Sequence, residues 1–134
     1  MGSVPIVVGA PAAQTIANLQ REFAVRTIDG GWEVRSRDPK DPQTPLVALG
    51  AKDGVIQGVS FIWGPGVTPS LEEMFRHVAQ ALPEDAHCGI HNITRPLEGG
   101  TVRTLIFTCG RTTIDVRTGV WPQGNTASIA IRRE

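Results

Sequence analysis

The chain of 134 residues holds only three histidines and two cysteines, and its 13 basic and 13 acidic side chains leave it without net charge. That balance excludes the strong basic field that draws a protein to nucleic acid or to an anionic membrane, so no nucleic-acid partner is expected. Long apolar runs are also missing: the longest near the N-terminus, Val4 to Ala13, is broken by Pro5, Gly9 and Pro11. It falls well short of the ~20 residues needed to cross a bilayer, so no membrane span is expected and the chain reads as water-soluble. Paired carboxylates on one helix or strand face, a nucleophile elbow, a Walker loop and any CxxC or HxH metal spacing are absent too. These absences remove the usual signatures of hydrolases, nucleotide-binding enzymes and zinc domains. Neither a cofactor nor a structural metal is expected.

What is present points to an α+β fold. In PAAQTIANLQREF, Ala12, Ile16, Leu19 and Phe23 recur at intervals of three and four, which predicts an amphipathic helix over 12–23. A second helix is expected over 70–82. Ser70 and Glu73 form a capping box, Leu71, Phe75, Val78 and Leu82 form the apolar stripe, and Pro83 ends it. On that helix His77 falls on the polar side, one turn from Glu73. The loop WGPGVTPS before it reads as a stiff turn from strand to helix rather than as a phosphate-binding fingerprint.

Nearly everything else reads as strand. Asp53 and Gly54 predict a two-residue hairpin turn between LVALGAK and VIQGVSFIW, and the residues around Asp29, Gly30 and Gly31 predict another. Strict alternation in the arm 55–63 would place Val55, Gln57, Val59, Phe61 and Trp63 on one face, with Ile56 and Ile62 on the other. The expected architecture is an antiparallel sheet built from hairpins with two amphipathic helices packed on one face. Each half begins with a helix and continues through three or four strands, an order that fits either an internal duplication or coincidence, since the identity between the halves is too slight to decide. Residues 12–134 are expected to form one domain, with 1–11 a flexible N-terminus in which Met1, Gly2 and Ser3 read as a cloning scar.

The stretch HCGIHNITRP, residues 87–96, concentrates His87, Cys88 and His91 in five positions. Its glycine, isoleucines and terminal proline favour a strand, on which His87 and His91 share a face but stand about 13 Å apart, too far to chelate one ion unaided. A turn at Glu98 and Gly99 places Cys88 opposite Cys109 and Ile90 opposite Phe107. The next turn, Gly110 and Arg111, places Phe107 opposite Ile114 and Leu105 opposite Val116. Both registers put the cysteines on the apolar face and His87 and His91 on the other. A Cys88–Cys109 disulfide would imply an oxidising compartment, and the alternative is a pair of reduced core thiols in a cytosolic protein.

Two functions are compatible with these residues. The preferred one is a noncatalytic, secreted or periplasmic module that binds another protein or a small ligand through the sheet, with His87, His91, Trp32, Trp63 and Trp121 as its candidate surface. The rival is a small enzyme, which a cytoplasmic location would also suit, using His87, His91 or His77 as acid or base with carboxylates assembled only by the fold.

Overall fold

The computed structural model describes residues 1–2, 4–81 and 87–134. The elements in chain order are α1 Ala12–Leu19, β1 Ala24–Ile28, β2 Gly31–Arg35, β3 Leu46–Lys52 and β4 Val55–Trp63, then α2 Leu71–Ala81, β5 Cys88–Leu97, β6 Gly100–Cys109, β7 Thr112–Val120 and β8 Thr126–Arg133. All eight strands join one antiparallel sheet in the order β1-β2-β3-β4-β8-β7-β6-β5. The fold is therefore α+β, as the hairpin signals predict.

The order is that of two αβ4 units joined along β4 and β8. In each unit the first two strands are joined by a two-residue turn, closed by Ile28↔Gly31 in one and Leu97↔Gly100 in the other, and the strands run in the same order outward from the seam. Corresponding turns use the same chemistry, with Gly30 at φ 80° and Gly99 at φ 84°. The glycines that follow are equivalent too. A Cβ at Gly31 would overlap the Leu49 carbonyl, and one at Gly100 would overlap the Trp121 ring and the Val120 carbonyl.

Alternation along each strand sends one set of side chains to the helix-covered face. Val34, Val47, Phe61, Ile129, Val116 and Leu105 form one cross-strand row there, and Trp32, Leu49, Val59, Ile131, Ile114 and Phe107 form the next. The most buried of these are Val34 on β2, Val47 on β3, Ile114 on β7 and Ile129 on β8. Helix α1 packs against β1 and β4, while α2 packs against β8.

Four details differ from the sequence expectations. Helix α1 ends at Leu19, although the Phe23 amide still donates to the Leu19 carbonyl at 2.9 Å and its ring packs on the core. In β4 the register shifts between Gly50 and Ala51, so strict alternation fails. Gly58 pairs with Gly50 and Ile56 with Ala51, which leaves Gln57 as the extra residue of a bulge. Beyond that bulge Ile56 is buried and Val55 is exposed, the reverse of the alternating reading. The N-terminal segment, expected to lie outside the domain, contributes Met1, Val4 and Ile6 to the core. It is tied down where the bulge frees the edge of β4: the Gly9 amide donates to the Ile56 carbonyl at 2.7 Å, and the Ile56 amide donates to Ala10 at 2.9 Å.

The fourth difference is the face that α2 buries. The cap is as expected, with the Glu73 amide donating to Ser70 Oγ at 3.0 Å. Of the expected stripe, however, only Val78 is buried, joined by His77 and partly by Met74; Leu71 is 71% exposed and Phe75 62% exposed. Leu82 and Pro83 lie outside the described residues.

Candidate functional site

The rotation of α2 leaves an apolar groove. Because the helix rests on the sheet centre through Met74, His77 and Val78, its Leu71 and Phe75 overhang the helix-side face of β5, β6 and β7, which no described helix covers. Leu105, Phe107 and Val116 form the floor of a cleft of about 400 Å³. Asn92, Arg103 and Thr118 supply its polar positions, and Arg103 is the one charged lining residue among the described residues. The edge strand β5 extends this surface with Ile90, 60% exposed and opposite Phe107. Concave, mainly apolar clefts with a few placed polar groups are the usual form of ligand sites.

His77 lies on the other flank of α2. Its imidazole stands 4.1 Å from the Phe61 ring and 5.8 Å from that of Trp63, centroid to centroid. Burial among these rings pushes its pKa down to about 4, and the N-terminal ammonium and Arg76 press in the same direction. The expectation of a solvated His77 on the polar side of α2 is therefore corrected, because the aromatic end of β4 draws this side of the helix inward. Neighbouring Met1 donates from its ammonium to the Val4 carbonyl at 2.7 Å. Burial lowers that amine too, Glu22 opposes the shift and Arg76 adds to it.

The remaining histidines are elsewhere. His91 pairs with Ile106 on the face of the sheet opposite the helices, and His87 is an exposed residue just before β5. The sheet thus separates His91 from His77, and among the described residues no three His, Cys, Asp or Glu side chains are placed to hold a metal ion. No helix among them is long and apolar enough to cross a membrane.

Cys88 and Cys109 face each other as the registers predict, with Cα atoms 4.4 Å apart and sulfurs at bonding distance. The pair ties the edge strand β5 to β6 at one end of the groove floor. Trp63 is buried with its Nε1 unpartnered among the described residues. Trp32 packs against the core from β2, and Trp121 donates from Nε1 to Thr126 Oγ1 at 3.2 Å. Each indole serves a separate place in the fold.

The opposite face of the sheet carries a second concavity, of about 410 Å³, over Gly31, Ala48, Gly50, Gly58, Ser60 and Ala130, bordered by Asp115 and Arg132. Asp115 Oδ1 is buried there without a hydrogen-bond partner among the described residues. Sequence reasoning missed both the groove and this concavity. The signal for the groove was available in Arg103 and Asn92, polar residues at positions that alternation assigns to the apolar face. Comparison with models of protein families and with curated proteins gives no match to this chain.

Proposed function

We propose that the protein is a noncatalytic binding module whose site is the groove between α2 and the β5–β7 face. The observation that carries this reading is the exposure of Leu71 and Phe75 above a floor of Leu105, Phe107 and Val116. Apolar side chains left contiguous on a folded surface mark places where something else is buried. The histidines favour this reading over acid–base catalysis, since His77 is held neutral in the core and His91 lies across the sheet. The Cys88–Cys109 pair supports an oxidising, secreted or periplasmic setting.

A neutral environment-sensitive dye such as Nile red tests the site without invoking charge. Its fluorescence should rise on mixing with the protein and should fall back in the variant Leu105→Glu, which places a carboxylate on the groove floor. Far-ultraviolet circular dichroism would establish that the variant keeps its fold. Equal dye binding by the folded variant and the parent would refute the assignment.

A further inference from the structure

Resting on the groove reading, the geometry points to a single-chain alkyl carboxylate as the ligand, with its headgroup at Arg103 and its chain along Leu105 and Phe107. Arg103 occupies a helix-side position of β6 and pairs with Thr94 on one side and Thr118 on the other, so neither cross-strand neighbour is a carboxylate. Among the described residues it makes no ion pair, and no Asp or Glu lines the groove. Its counterpart in the first unit is instructive. Both β2 and β6 follow a two-residue turn, and the residue three places beyond Gly31 is Val34, wholly buried, whereas three beyond Gly100 is Arg103, exposed.

The spacing sets the shape of the occupant. Leu105 and Phe107 follow Arg103 on the same face, and four residues of strand span about 13 Å. An extended alkyl chain fits that track, with Phe75 of α2 above it. A guanidinium presents paired donors matched to a carboxylate. A cationic headgroup would meet Arg103 with no anion among the described lining residues to offset it.

Calorimetric titration of the whole protein with decanoate, decanol and decylamine, all below micelle-forming concentrations, tests this. Decanoate should bind best and decylamine worst, separated by about fivefold, the size expected for a partly exposed ion pair. Arg103→Glu should invert the order, and Arg103→Gln should bring the three ligands level. Arg103 is an exposed strand residue, so both variants should keep the parent circular dichroism spectrum. Equal affinities in the parent protein, or a preference for decanoate that survives in Arg103→Glu, would overturn the assignment. If Nile red binds and none of the three alkyl compounds does, the alkyl carboxylate is excluded while the groove stands as a site. If the dye fails as well, both readings fall.

Discussion

The two αβ4 units share a pairing pattern and differ in how they close it. In the first unit, α1 and the N-terminal segment cover the helix-side face, and Ile6, Ile16 and Leu19 join Val34 and Val47 in one core. In the second, α2 leans toward the seam with β4, and the face of β5, β6 and β7 stays open beneath Leu71 and Phe75. Strand topology therefore does not dictate how far the helix-side face is covered. Coverage depends on what each helix can bury. The rings of Phe61 and Trp63 draw His77 of α2 to the seam, away from the outer strands.

The difference can be broken most forcefully in the closed unit. Leu19→Ala removes a side chain with no solvent exposure, and urea denaturation should show a loss of about 3–5 kcal/mol. Leu105→Ala on the open face should cost under half as much. Equal losses would mean that the second unit is packed as tightly as the first.

Reduction acts on the second unit alone. Opening the Cys88–Cys109 link, which spans a sequence separation of 21, should lower stability by roughly 3 kcal/mol, seen as a lower urea midpoint in reductant. The double variant Cys88→Ser with Cys109→Ser should show the same shift and no further response to reductant. An unchanged midpoint in both would show that β5 is held by its hydrogen bonds alone.

At the seam, His77 gives a smaller, pH-dependent effect. Burial favours the neutral imidazole, so the folded protein binds this proton less readily than the unfolded chain. The resulting stabilisation is fully present above the ordinary value of 6.5 and is lost as pH falls toward about 4, with no further loss below it. His77→Phe should flatten the urea midpoint across that window. A slope unchanged by the substitution would assign it to other groups.

The smallest effect is expected where the surface is already open. Phe75→Ser should change stability by less than about 0.5 kcal/mol while reducing Nile red binding. A large loss of stability would place Phe75 in the core after all.

Much of the sheet was legible because its turns are. Asp53–Gly54 and Glu98–Gly99 are two-residue loops whose glycines take positive φ, and a fixed loop length fixes the pairing on either side. Cys88 opposite Cys109 followed from that arithmetic. The bulge at Gln57 had one signal, Gly58 within VIQGVSF facing Gly50, since a glycine inside a strand marks a place where pairing can slip, but it does not say which residue is the extra one. The orientation of α2 was not legible. Its apolar stripe through Leu71, Phe75 and Val78 is the obvious buried face, yet His77 is as buried as Val78 once aromatic rings surround it. Local pattern reports that a helix has an apolar side; whether that side meets the sheet is settled by residues distant in sequence.

The place of β8 also bears on the order of events during biosynthesis. Among the described strands it follows all the others in sequence and is the one that joins β4 to β7. The hairpins of the first unit can pair as they emerge from the ribosome, and so can β5, β6 and β7, but the two sheets remain separate until residues 126–133 arrive. Until then β4 and β7 each present one unpaired edge, with Phe61, Ile114 and Val116 lacking their β8 partners Ile129 and Ile131. Joining them requires contacts between β4 and β8 some 70 positions apart, a slow class of event. A chain stalled or cleaved before Thr126 would carry two open sheet edges into a crowded cell, where self-association competes with completion of the fold.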